Sequence, residues 1–232
     1  MNRNQLQYLS IAGALLGLLA GCTARNVSTG LPDHPAAAFD AAGPLTSVVT
    51  DPAGDAAWNL NSGPGSSKKV PDYLDLVRSE ITQKGSDFTM TIDVAAPIGR
   101  PDVSTGSGLI GWAIGLDTDP TTAPAGYPLS NGTVVPFEFY VNVTYDGTRF
   151  QGMVIDRRPL LTGREAIVTP HPFSITDSRI TMTVSASAVG APSAFGWISF
   201  AAVRTASHDG ADAFNGVDVA TAPGGGVATF PQ

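Results

Sequence analysis

Six aspartates stand in pairs where β-rich runs of this 232-residue chain give way to turns. Asp51 and Asp55 bracket Asp51-Pro52-Ala53-Gly54-Asp55, Asp72 and Asp75 sit in Pro71-Asp72-Tyr73-Leu74-Asp75, and Asp117 and Asp119 share Asp117-Thr118-Asp119-Pro120. Calcium takes about 6–8 oxygen ligands from carboxylates, carbonyls and water, and loop aspartates beside Gly and Asn suit that chemistry. A structural calcium would also staple loops in a chain that has one cysteine and so no internal disulfide. The other reading is that each Asp simply forms a turn by bonding its own backbone. No stretch matches the EF-hand loop with its terminal Glu.

Ring faces that stack on sugars are the second candidate chemistry. Trp58, Tyr73, Tyr127 and Tyr140 are expected at the surface, and alternation places Tyr140 on one outward face with Glu138 and Asn142. These six residues form a candidate ligand-binding set with a flat platform at its centre; scattered surface aromatics are the alternative. Arg157, Arg158 and Arg164 flank one loop, either to meet an acidic ligand or as edge charges that discourage strand pairing. His208, Asp209, Asp212 and Asp218 invite a hydrolase reading, but nucleophilic catalysis needs a positioned Ser and an oxyanion site, and no G-x-S-x-G elbow occurs. That segment reads as loop, and the protein as a non-enzyme. His34, His171 and His208 are far apart, with no H-E-x-x-H pair, which argues against catalytic zinc.

Cys22 is the only cysteine. It follows a polar start with Arg3, an apolar run from Tyr8 to Leu19 and small residues, the layout of a secretory signal. The run is shorter than the ~20 residues of a membrane span and carries Gly13 and Gly17. Leu19-Ala20-Gly21-Cys22 resembles the bacterial lipobox, which implies cleavage before Cys22 and acylation of its thiol. Two or three acyl chains anchor stably where one is marginal. The expected location is lipid-anchored on the cell membrane or outer membrane, facing outside the cytoplasm. Thr23 stands where inner-membrane retention signals would have Asp.

Residues 1–21 are thus a signal peptide, 22–43 an acylated cysteine and flexible tether punctuated by Pro32 and Pro35, and 44–232 a folded domain. The net charge of −7 excludes nucleic acid and anionic lipid surfaces as partners, since both need basic patches. Charged residues are only 14%, against about 25% in ordinary domains, while Gly 26 and Pro 18 supply many turns. That balance suits an exported all-β domain.

The elements that must position these residues are short strands. They are expected at 46–50, 73–82, 87–95, 109–116, 134–145, 149–157, 166–169, 173–176, 179–185 and 195–205, with a last one near 227–230. Phe88, Met90, Ile92 and Val94 alternate with polar residues, giving one buried and one wet face. Ile110, Trp112, Ile114 and Leu116 alternate instead with Gly111, Ala113 and Gly115, the mark of a central strand under close backbone approach. Val135, Phe137, Phe139, Val141, Val143 and Tyr145 are expected on one face of a single strand. Hairpins are expected at Gln83-Lys84-Gly85-Ser86 and Asp146-Gly147. The segment 188–193 reads as one helical turn, and the tail from Ser207 as loop. About ten short strands with almost no helical periodicity predict an all-β antiparallel sandwich.

Short pieces between residues 46 and 223 resemble DOMON-like sandwiches, a group akin to family-nine carbohydrate-binding modules. They are Asp51-Pro52-x-Gly54-Asp55, Pro71-Asp72-x-x-Asp75-Leu76, Leu116-Asp117-Thr118-Asp119 with Thr121 and Thr122, and the Trp197 strand followed by Asp218-x-Ala220-x-x-Pro223. The resemblance implies a sandwich that binds a ligand, most often sugar or haem. Haem in that group is held by a Met and a His; Met90 or Met153 with His171 aligns to no such motif, and strand Met is commonly core filler. Polysaccharide binding with structural calcium is therefore the leading expectation. A scaffold that docks another envelope protein is the alternative.

Overall fold

The computed structural model describes residues 44–57, 70–102, 109–119, 121, 127–128, 134–206, 212–223 and 226–232, with backbone alone at 127–128, 134–135, 204–206 and 212–217. The strands are β1 (Leu45–Thr50), β2 (Leu76–Lys84), β3 (Asp87–Val94), β4 (Leu109–Asp117), β5 (Tyr127–Pro128), β6 (Val134–Val135) and β7 (Phe139–Tyr145). They continue as β8 (Phe150–Asp156), β9 (Ile167–Pro170), β10 (Ser174–Thr176), β11 (Arg179–Ser185), β12 (Phe195–Ala206), β13 (Asp212–Ala220) and β14 (Ala228–Phe230). One sheet has the order β1-β2-β3-β11-β10. The other has β13-β12-β4-β7-β8-β9, with β14 also on β12, and β5 pairs β6 apart from both. Every pairing is antiparallel. The expected all-β sandwich is the fold. Among the described residues no helix is long and apolar enough to cross a membrane.

Alternation builds the core. Phe88, Met90, Ile92 and Val94 of β3 are buried and face Ile110, Trp112, Ile114 and Leu116 of β4 within one continuous cluster. Phe88, Phe195 and Phe230 bring three strands together, with ring centroids 5.0–5.5 Å apart. Buried polar groups find partners across the sandwich. Ser79 Oγ lies 2.6 Å from Ser199 Oγ, Trp197 Nε1 donates to Ser47 Oγ at 2.9 Å, and Trp112 Nε1 donates to the Tyr73 carbonyl at 2.8 Å.

The turns obey local chemistry. Lys84 pairs with Asp87, so Gly85-Ser86 is a two-residue turn, with Gly85 at a φ of +62° that favours glycine. At the β7–β8 turn Asp146 Oδ1 accepts the N–H groups of Thr148 and Arg149, both at 2.9 Å, and the Thr148 hydroxyl at 2.6 Å. Those donors pull the Asp146 carboxyl down to about 2.

Two expectations are corrected. The run 134–145 is broken: Pro136 cannot donate to a ladder, so β6 and β7 are separate, and Phe137 crosses to the face of β4 away from the core. A Cβ built on Gly115 would lie 2.9 Å from Phe137 Cγ and 3.2 Å from Tyr140 Cε1. Gly115 is thus the close approach that its strand pattern implied, and rings fill it. The tail from Ser207 holds β13, a nine-residue strand on β12, hidden in sequence by Asn215, Gly216 and two aspartates, all poor strand formers.

Candidate metal centre at the end of the first strand

β1 ends at Thr50, and the Asp51 N–H still bonds the Val77 carbonyl at 3.0 Å, so the ladder with β2 fixes the start of the next loop. Gly54, at φ +92°, turns the chain and brings Asp55 back. The Gly54 N–H then donates to Asp75 Oδ2 at 2.6 Å. Asp75 follows the 3-10 turn Asp72–Leu74 and is 3% exposed. From the second sheet Asp218 enters, 5% exposed. Its Oδ2 accepts the Leu76 N–H at 2.6 Å and its Oδ1 the Val219 N–H at 2.9 Å.

Carboxylate oxygens of Asp51, Asp55 and Asp218 lie within 4.8 Å of one another. Asp75 is not one of that triad, although its charge acts on both Asp51 and Asp218. Burial, then repulsion from Asp218, Asp55 and Asp75, pushes Asp51 up to about 7. Burial also pushes Asp218 up to about 6, with Asp55 and Asp75 adding to it and the Leu76 N–H opposing. Asp51 Oδ2 and Asp75 Oδ1 are buried without a hydrogen-bond partner. An acceptor left so costs about 1–3 kcal/mol, more when charged.

A cation among Asp51, Asp55 and Asp218 would remove the Asp51 penalty. The donors are all carboxylate oxygen, without sulfur or imidazole, which selects hard ions over zinc. Magnesium keeps several waters and takes one or two carboxylates, whereas three converging carboxylates suit calcium. Asp51, Asp55 and Asp218 therefore fit a calcium ion, which these three would hold.

Sequence pairing had set Asp51, Asp55 and Asp75 together with Asp72, Asp117 and Asp119. Asp72 lies in the 3-10 turn, where its carbonyl accepts the Asp75 N–H, and the carboxylates acting on Asp51 are Asp218, Asp55 and Asp75. Asp117 and Asp119 sit elsewhere, at the end of β4 beside Glu138. There Glu138 Oε2 accepts the N–H of Thr118 at 2.6 Å and of Asp119 at 3.3 Å. Asp117 is raised by burial, Glu138 and Asp119; Asp119 is lowered by its bonds from Thr121. A cleft of about 320 Å³ lies beside them, lined by Asp119, Glu138, Arg158, Leu161 and Pro192.

The flat platform does not form. Glu138 is 1% exposed, because it caps the β4 turn instead of facing solvent. Tyr140 is half-buried: Arg157 Nη1 donates to its hydroxyl at 3.1 Å, that guanidinium lies 4.8 Å over its ring, and Phe200 packs 5.5 Å away. Asn142 is half-buried with its Oδ1 enclosed. Gly111, Ala113 and Gly115 leave room for these side chains to lie down on the sheet. Arg157 is itself 4% exposed and so is not a solvated edge charge. Tyr73 packs against the core, its hydroxyl accepting the Asp102 N–H at 3.2 Å. Trp58, the side chain of Tyr127, Cys22, His34, His208 and Asp209 lie outside the described residues, as does the side chain of Asp212.

Met90 is core, 2% exposed. Met153 and His171 line one cleft of about 440 Å³, where His171 Nε2 donates to the Thr183 carbonyl at 2.7 Å.

No family model matches the chain, and comparison with curated proteins finds no similar one.

Asp218 is the member of the aspartate triad that strand-end pairing missed. Its sequence signals are the group of His208, Asp209, Asp212 and Asp218 and the Asp218-x-Ala220-x-x-Pro223 piece of the DOMON-like resemblance.

Proposed function

We propose that this protein is an exported, lipid-anchored, non-catalytic binding module whose sandwich is completed by calcium at Asp51, Asp55 and Asp218. The observation that carries the reading is the Asp51, Asp55 and Asp218 triad, whose Asp51 Oδ2 is buried and unpartnered, as is Oδ1 of the neighbouring Asp75. The ion would neutralise the cluster and hold the loop after β1 against both sheets. Acylation of Cys22 supplies the anchor. Carbohydrate is the ligand class, supported by the resemblance to family-nine modules.

A glycan and polysaccharide screen on the full chain in detergent, run in calcium and again in EDTA with thermal melting alongside, tests this. Saturable binding to one glycan class with a calcium-dependent melting point is the expected result. No binding and identical melting in EDTA would overturn both parts.

One observation favours a second reading, a scaffold for another envelope protein. Strand β9 leaves Ile167 and Val168 each 55% exposed at the edge of the larger sheet, near Leu161 at 45%.

A further inference from the structure

Sheet edges invite pairing, and proteins blunt them with covers, short strands, charges, bulges or proline. Among the described residues three of the four edges of the two larger sheets are blunted. Along β1 the C-terminal Gln232 acts as a cover, its N–H donating to the Thr46 carbonyl at 3.4 Å and its Oε1 accepting the Val48 N–H at 3.3 Å. Strand β10 has three residues. Strand β13 carries Asp212 and Asp218 and a register shift opposite Ala201/Ala202. Strand β9 is different. All four residues are exposed and none is charged, so Pro170 is its sole defence.

The direction of the β9 backbone groups follows from its pairing. The His171 N–H bonds the Gly152 carbonyl at 2.9 Å, and Pro170 pairs with Met153 and Thr169 with Val154. Bonded and non-bonded residues alternate along an antiparallel ladder. Ile167 and Thr169 therefore point their N–H and C=O at β8, and Val168 points both outward with the Pro170 carbonyl.

We propose that two copies of this chain join edge to edge through β9, antiparallel, about a two-fold axis at Val168. There each Val168 gives its N–H and C=O to the other, and each Pro170 meets Ala166 of the other copy, where its carbonyl accepts and half the usual exchange survives. An axis at Thr169 would set Pro170 against Val168 and lose that exchange. An axis at Ile167 would set Val168 against Ala166 and Pro170 against Arg164, both outside the strand, where the Val168 axis meets Ala166 alone in its bonded positions. The Val168 axis also places Glu165 of each copy opposite His171 of the other, a polar pair repeated at both ends. Ile167 of each copy then lies opposite Thr169 of the other as a non-bonded pair, with Cα atoms about 4.5 Å apart, within disulfide reach. No residue of the aspartate cluster is on β9, so this pairing is independent of the calcium reading.

The test uses full-length chains purified from membranes in detergent. Ile167→Cys and Thr169→Cys chains are oxidised separately and after mixing, with the native chain controlling for Cys22. The expected result is a disulfide-linked dimer in the mixture, several-fold above either variant alone. Equal cross-linking in all samples, or none in folded protein, would overturn the proposal. Ile167→Lys, a substitution at a residue 55% exposed and so expected to leave the chain folded, provides a second measurement by sedimentation. The native chain is expected to sediment as a dimer and this variant as a monomer. A monomeric native chain, or an equally dimeric variant, would end the β9 pairing even if a cysteine variant failed to fold.

Discussion

The carboxylate of Asp218 on β13 accepts the backbone N–H of Leu76 on β2 at 2.6 Å, across 142 residues of sequence. A single side chain thus ties the two sheets together and turns the loop after β1 into one wall of an anionic site.

Asp218→Asn keeps an acceptor for Leu76 while removing one negative charge. At calcium about 100-fold above its Kd the native chain gains about 2.7 kcal/mol, or about 5–10 °C of melting temperature for a domain of this size. The variant is expected to lose most of that gain. An equal calcium shift in both chains, read by differential scanning calorimetry, would remove Asp218 from the site.

The same cluster makes the metal-free protein prefer acid. Asp51 is raised from 3.8 to about 7 in the folded state, so between those values the folded chain holds a proton that the unfolded chain has released. Stability in EDTA therefore falls as pH rises through that window. Calcium, which binds the ionised carboxylates, should flatten or reverse the trend and release protons on binding near pH 6.5. Urea unfolding at several pH values, with and without calcium, checks the sign. Greater stability of the metal-free chain at pH 7.5 than at pH 5 would contradict it.

Ser79 and Ser199 are both fully buried and bond only across the sandwich. Either Ser→Ala change strands the other hydroxyl and should cost about 1–3 kcal/mol, whereas the double change should cost less than the sum. A double-mutant cycle by denaturant melting gives the coupling; strict additivity would mean that the pair does not interact.

Gly115→Val would drive a side chain into the Phe137 ring, at a cost of about 1–3 kcal/mol. Gly99→Ala, with nothing within 4 Å of the added Cβ, should stay within about 0.5 kcal/mol of the native chain. Similar melting of the two variants would show that Phe137 can leave its seat.

Cys22→Ser should abolish palmitate labelling and release the protein from the membrane fraction. Unchanged labelling of that variant would end the anchor reading.

Strands whose pattern is local were legible in the sequence. Strand β3 alternates cleanly, β4 pairs apolar residues with glycines, and Gly85 and Asp146-Gly147 announce their turns. What escaped depends on tertiary partners. Strand β13 is held by β12 despite turn-forming residues, so Asp218 read as tail. Pro136 interrupts a run whose alternation otherwise continues, and this sends Phe137 to the far face. The platform of Glu138, Tyr140 and Asn142 failed because alternation tells which way a side chain points. It does not tell whether small neighbours such as Ala113 and Gly115 let that side chain lie flat and become covered.

Strand β1 has a mechanical meaning as well. Tension transmitted through the residues before Leu45 reaches the domain at one end of a six-residue ladder, at the Leu45–Gln83 rung. A pull that peels Leu45 off Gln83 would open the ladder as a zipper, one rung at a time, and Asp51 lies just past its last rung. A filled aspartate cluster would be the knot at the end of that zipper, setting the force at which β1 peels away from the fold.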